Sequence, residues 1–460
     1  MSSLIIALEV AKSTLLNSQV QIATASHNIA NADNTAYARQ KVLLTTNLPY
    51  EMAGGFLGMG ASVAGIVQQR DQFVERSLIE SISKQSDYET RSSRLATAGA
   101  KLLDDGDQGI SSALGAFWDS WEALSQNPSG LTEKTLVTQA TKNLASTIRE
   151  ASSNLTDTAA DLETEAKSEV SSVNSLLSDI ASYNEAILNS EVGGDSANDL
   201  RDSRYQALTK LAESLPISYR EESDGTLTVS LNDYSSDITL VSSNEAGALT
   251  YDTTNHRVTY SDSQGTVYPP SPEPVPPEEN QLSAGRLNGL LTVYKSIGTS
   301  HDLAYVFSTP TPSDLTYPDR LNALASTLIT QVNTIHGSNV FSGTDASDID
   351  IDSSISIDAT KALSISELQD TKLAALGDSP FSAYLSDIQQ RIGLDQQNAA
   401  SSGSFQETLR LQLEAQQQSV SGVSIDEEMV DMLKFQQVYQ AAAKIIQYTS
   451  EMMDTIMNMV

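Results

Sequence analysis

The sequence predicts a mainly α protein with β inserts. It reads as an elongated multidomain rod whose N- and C-terminal helices pair in a coiled-coil-like bundle, with a β-rich domain inserted in a helical body. Three observations carry this. Apolar residues recur in alternating steps of four and three at both ends of the chain, the spacing of a heptad seam. After Pro216 the period changes to two, as in half-buried strands. Aromatic residues make up only 6% of 460 positions, which suits long helices side by side better than one thick core.

The first helix is expected from the seam Leu4, Leu8, Ala11, Leu15, Ser18, Ile22, Ala25 and Ile29, and should end near Ile29 to Asn31. "GMGASVAGIV", 58–67, reads as a Gly-rich turn and a short strand or hairpin, closing a first segment at residues 1–70. A helical domain follows over 71–215, with helices at Phe73–Leu103, Thr132–Leu188 and Leu200–Leu215. "NPSG" and "VGGDS" mark the turns around the longest of these. Asp224-Gly225 between alternating runs signals a hairpin, and the β-rich insert runs to 282 with a Pro-rich acidic linker, "YPPSPEPVPPEEN", at 268–280. Helix returns in 283–345. Alternating Ile349, Ile351, Ile355 and Ile357 predict a strand in a small β-like insert, 346–379. Residues 380–460 are helical again, broken at "SVSGVS".

The last helix carries two parallel seams. One is Tyr439, Ala442, Ile446, Thr449, Met453, Ile456 and Val460. The other is Val438, Ala441, Ile445, Tyr448, Met452, Thr455 and Met459. A helix apolar over most of its circumference needs neighbours on several sides. One could be the N-terminal helix; the others are expected from further subunits, which makes the terminal seams the candidate assembly interface.

With 27 basic and 59 acidic residues the net charge is −32. Nucleic acid, whose binding relies on Lys and Arg neutralising phosphates, is not expected as a partner. There is no cysteine, hence no disulfide, thiolate metal site or Cys nucleophile. The opening "MSSLIIALEVAKSTLL" lacks a basic n-region, so no cleaved leader is expected, and no stretch reaches the roughly 20 apolar residues of a membrane span.

Catalytic and metal motifs do not assemble. His27, His256, His301 and His336 show no metal-ligand spacing and no HExxH. "SISK", 81–84, has no SDN or KTG triplet after it. "GGFLGMG", 54–60, is not GxGxxG and reads as a turn. "DIDIDSSISID", 348–358, starts like a calcium loop but has Ser353 where Gly is needed and Ala359 in place of the bidentate Glu. The cluster Met452, Met453, Met457 and Met459 reads as helical packing. No catalytic residue, cofactor or metal is expected, and the chain reads as a non-enzyme.

"SHNIANADNTAYARQ", Ser26 to Gln40, resembles the signature of the flagellar rod, hook and hook-associated proteins. Asn28, Ile29, Ala30, Asn31, Tyr37, Arg39 and Gln40 match it residue for residue; Asp33, Asn34 and Ala36 depart from it. Ala36 replaces the family Gly, which would strain the turn if that position needs positive φ. "SGVSIDEEMVDMLKFQQVYQAAAKIIQYTSEMMDTIM", 421–457, is similar to the hook-associated members at the hook–filament junction, as are "NDLRDSRYQALTKLAESLPI", 198–217, and the segments within 285–337. "GMGASVAGIVQQRDQFV" also resembles them, with Gln68 where Arg is usual.

The resemblance implies a structural flagellar component, an adaptor between hook and filament. It implies self-assembly into a helical tube, export through the flagellar type III channel without a cleaved signal peptide, and a chaperone at the C-terminal helix. The implied neighbours are the hook protein and hook-associated protein 3. Arg39 and Gln40 are expected to reach a neighbouring subunit. The alternatives are a hook or rod protein of the same axial family, against which the long helix at 132–188 argues, and a secreted enzyme on a flagellar scaffold, for which no catalytic constellation exists.

Overall fold

The computed structural model describes residues 2–52, 55–103, 109–231, 238–253, 256–262, 267–268, 282–298 and 315–458. The Pro-rich linker expected at 268–280, apart from Tyr268, lies outside these residues, as do His301, Met459 and Val460.

The chain opens with α1 (Ser2–Ala30), followed by β1 (Gln40–Thr46), β2 (Tyr50–Met52), β3 (Gly55–Leu57) and β4 (Ala61–Gln68). β1 pairs antiparallel with β4, with an irregularity between Leu43 and Leu44, and β2 with β3. The body follows: α2 (Gln72–Leu103), α3 (Ile110–Gln126), α4 (Leu131–Ser190) and α5 (Asn198–Ser214). At 60 residues, α4 is about 90 Å long and gives the molecule its elongated form.

A four-stranded antiparallel sheet comes next, β5 (Ile217–Glu221), β6 (Leu227–Leu231), β7 (Ile238–Ser242) and β8 (Glu245–Ala246), in sequential order. Gly225, at φ 84°, makes the expected Asp-Gly turn between β5 and β6. A second sheet holds β9 (Ala248–Asp252), β10 (Arg257–Ser261) and β11 (Val267–Tyr268). Both are tied to α4 by side-chain amides, the buried Asn184 and the half-buried Asn174. Asn184 Nδ2 donates to Leu227 O at 2.8 Å and to Ser243 O at 2.6 Å, and Asn174 Nδ2 donates to Leu249 O at 2.9 Å.

The chain returns to helix in α6 (Arg286–Ile297) and α7 (Tyr317–His336), pairs β12 (Phe341–Ser342) with β13 (Asp350–Ile351), and forms a short α8 (Ala362–Ser366). It closes with α9 (Phe381–Ser421) and α10 (Ile425–Asn458). α9 runs antiparallel along α2: Gly99 of α2 lies against Ile392, and Tyr88 lies against Gly403, with Arg410 Nε donating to Gln85 Oε1 at 2.6 Å. The large hydrophobic core runs from Leu78 to Ile392 and contains no residue of α1 or α10.

One expectation is corrected. The alternating isoleucines do not make a strand: only Asp350 and Ile351 pair in a ladder, and the rest of 346–379 is turns, 3-10 segments, α8 and one bridge between Leu373 and Ser379. The aspartates between the isoleucines prevail. Asp348 accepts from Thr344 N and Asp345 N, Asp352 from Ser354 N, and Asp358 from Thr360 N, the side-chain turns that compete with a strand ladder. Among the described residues no three His, Cys, Asp or Glu side chains gather as a metal site. α3 falls inside the helical segment read over 71–215, at a stretch to which no separate helix is assigned. Its Phe117, Trp118 and Trp121 are fully buried beside Phe341 and Phe381. Their spacing is helical, but α3 sits directly before a turn and lacks a side-chain cap at Gly109.

Candidate assembly interface

The amide-rich stretch after α1 folds into a buried polar knot. Asn31 Nδ2 donates to His27 O at 3.0 Å and so closes the helix end. Asn34 Oδ1 accepts from Ala36 N at 3.1 Å, and Ala36 is not among the described non-glycine residues with positive φ. The turn therefore accepts Ala where the family has Gly.

Asn28 is the centre. Its Oδ1 accepts from Tyr37 Oη at 2.7 Å and from Gln40 N at 3.0 Å. Its Nδ2 donates to Gln40 O at 2.9 Å and to Glu428 Oε2 at 3.1 Å. All four capacities of the amide are used, as burial demands. Arg39 donates from Nε to Glu428 Oε1 at 2.6 Å and pairs with Glu427 at 3.2 Å. Gln40 Nε2 and His27 Nε2 meet Asp199 Oδ1 at 3.1 and 3.0 Å. Arg39 and Gln40, expected to reach a neighbouring subunit, are thus engaged within the chain.

The knot continues onto the start of α5. Asp202 Oδ1 accepts from Gln68 Nε2 at 2.8 Å, Arg70 at 2.5 Å and Ala38 N at 3.3 Å, while its buried Oδ2 has no partner among the described residues. Burial raises the Asp202 carboxyl to about 6, against the opposing pull of Arg70. The Tyr37 phenol is pushed up by burial, with Asp202, Asp199 and Glu428 adding to it. Gln68, standing where Arg is usual, keeps a bond to Asp202, and Arg70 two residues on supplies the charge.

α1 and α10 lie antiparallel, with Asn28 beside Glu428 at one end and Ile6 and Val10 across a cleft from Ala442 and Ile445 at the other. On α1, Ala11, Ser18 and Ala25 are buried and Leu4, Leu8, Leu15, Ile22 and Ile29 half-buried. The two seams of α10 separate. In the first, Ala442 and Thr449 are buried and Tyr439, Ile446, Met453 and Ile456 half-buried. In the second, Val438, Ala441, Ile445, Tyr448, Met452 and Thr455 are all exposed, with Tyr448 at 61%. Val430 and Leu433 extend this bare face toward the start of α10.

The sequence model described as "Flagellar hook-associated protein FlgK helical domain" matches residues 99–349. The chain belongs to the flagellar hook-associated protein FlgK family. A second match, "Flagellar basal body rod FlgEFG protein C-terminal", covers residues 416–459, which hold α10. The chain is similar to Flagellar hook-associated protein 1 of Bacillus subtilis, at 25% identity over 100% of this chain and 99% of that one. Flagellar hook-associated protein 1 of Salmonella typhimurium is 24% identical over 97% and 98%. A solved structure, the flagellar hook junction protein FlgK from Burkholderia pseudomallei, covers 58% of this chain and 46% of its own at 20% identity and a TM-score of 0.46.

As a FlgK-family member the chain is a structural component of the bacterial flagellum and not an enzyme. Among the described residues no helix is long and apolar enough to cross a membrane. The residues that complete the knot, Glu428, Asp199 and Asp202, were not singled out from the sequence. They do fall in "GVSIDEE" and "NDLRD", two motifs that carried the resemblance.

Proposed function

We propose that this FlgK-family chain is the adaptor of the hook–filament junction, required for filament assembly. Copies stack into a tube through their terminal helices, with the hook protein on one side and hook-associated protein 3 on the other. The observation behind this reading is the bare second seam of α10, with four large apolar side chains, Val438, Ile445, Tyr448 and Met452, exposed along one helix face. Such a continuous patch marks an interaction surface. In this reading the contact is heterologous, so that it propagates instead of closing as a dimer.

The same bare face suits a cytoplasmic export chaperone, which would shield it before assembly. Export through the flagellar type III channel without a cleaved leader belongs to the same reading and rests on the family resemblance. The six segments read from the sequence serve as the proposed domain division, with 1–70 and the last helix as the axial part.

Antibody labelling of isolated flagella tests the reading. The expected result is label confined to the distal end of the hook. Label spread along the hook, or along the filament, would overturn the junction role.

A further inference from the structure

α1, α10 and the β2–β3 hairpin enclose a cleft of about 490 Å³. Its walls include Ile6, Val10, Leu57, Val438, Ala441 and Ile445, and no charged residue lines it. The root of the hairpin is held firmly. Asn17 Nδ2 donates to Ala61 O at 2.8 Å, and Asn47 bonds to Gly60 O and Met59 O. Gly60, at φ 76°, sits so close to α1 that a Cβ would lie 3.1 Å from Ser13 Oγ.

The hairpin has two unlike faces. Tyr50 stands opposite Leu57, and Glu51 opposite Phe56. Directly opposed residues share a face, and successive residues alternate. Leu57 lines the cleft, so Phe56 points away from it, and it is 73% exposed. The chain holds an apolar cleft and a large apolar ring on a fixed hairpin, in an arrangement that keeps its own ring out of its own cleft.

We propose that Phe56 of one subunit enters the α1–α10 cleft of the next copy of this chain. The proposal rests on the tubular assembly reading above. Three features point to a second copy as occupant. Val438, Ala441 and Ile445 belong both to the cleft wall and to the bare seam assigned to neighbouring copies, so the two surfaces are continuous. Glu51, on the face of Phe56, would arrive beside Lys444, which is exposed one residue before Ile445. Ring and cleft lie on opposite sides of one hairpin, so each docking presents a fresh ring for the next, as an open assembly requires.

The chain has no cysteine, which makes cross-linking clean. Full-length chains carrying both Phe56→Cys and Ala441→Cys, or both Glu51→Cys and Lys444→Cys, are assembled into flagella, isolated and oxidised. A disulfide needs Cβ atoms about 3.5–4.5 Å apart. The expected result is a ladder of dimers and higher multimers for at least one pair, and monomer for every single variant. Glu51 and Lys444 are exposed, so the second pair does not depend on refilling the cleft. Assembled flagella in which neither pair gives a ladder would overturn the proposal. So would dimers from Phe56→Cys alone, which would place hairpin against hairpin. If the wild-type chain is absent from isolated flagella, the assembly reading itself fails and this docking falls with it.

Discussion

Asn28 donates to Glu428 across 400 residues of chain, at 3.1 Å and out of reach of water. This bond joins the end of α1 to the start of α10, and the Arg39 guanidinium holds the other oxygen of the same carboxylate at 2.6 Å. A carboxylate this deeply buried is stabilising only while its partners remain.

The first expectation follows from that dependence. Asn28→Ala would leave Gln40 N, Tyr37 Oη and Glu428 short of partners, at a cost of roughly 2–3 kcal/mol. The loss should be local, because the main core contains neither α1 nor α10. Amide exchange in residues 2–30 and 425–458 should accelerate while α2 and α9 keep their protection. Equal acceleration throughout would show that the knot stabilises the whole body.

The two faces of α10 should respond differently to the same charge. Ala442 is 2% exposed and Ile445 49%. Ala442→Asp buries an unpaired carboxylate against α1, at roughly 3–5 kcal/mol, and should release the helix pair. Ile445→Asp should leave the monomer within about 0.5 kcal/mol of wild type yet abolish incorporation into flagella. Thermal melts and flagellar fractionation of both variants separate the outcomes.

Deleting residues 430–460 should leave a folded, soluble middle that cannot join the hook. Circular dichroism should keep the helical signal of α2–α9, whose core is intact. Proteases should cut the intact monomer first near its ends, where α10 packs chiefly on α1 and outside the main core. A truncated chain that still supported filaments would contradict the assembly role of α10.

The body carries its own pH response. Burial raises the Asp87 carboxyl from 3.8 to about 6, against the pull of Arg91 and Asn288. The folded form therefore holds this proton more tightly than the unfolded form. The contribution is full below about pH 4 and is lost as pH rises through 6, on the order of 3 kcal/mol at most. In Asp87→Asn, Oδ1 can still accept from Asn288 Nδ2, and the variant should lose this part of the pH dependence. Denaturant midpoints of the two proteins between pH 4 and 7 should diverge as pH rises, with wild type falling faster.

Much of this architecture was legible in the sequence because its signals are local. The steps of four and three located α1 and α10, Asp224-Gly225 located a hairpin, and the Gly and Pro punctuation bounded α4 within a residue or two. Local signals also misled at Ile349 to Ile357, where period-two alternation lost to aspartates bonding their own backbone.

By itself the sequence determined that the chain ends are long apolar-striped helices and which family the turn after α1 resembles. Only the tertiary structure decided which seam of α10 is covered. The two stripes are equivalent as patterns, and α1 can lie along just one of them. It also decided that Arg39 and Gln40 are engaged inside the chain, because their partners Glu428 and Asp199 come from helices 389 and 159 positions away. Periodicity reports which face of a helix wants burial, whereas the identity of the neighbour is set by packing between segments far apart in the chain.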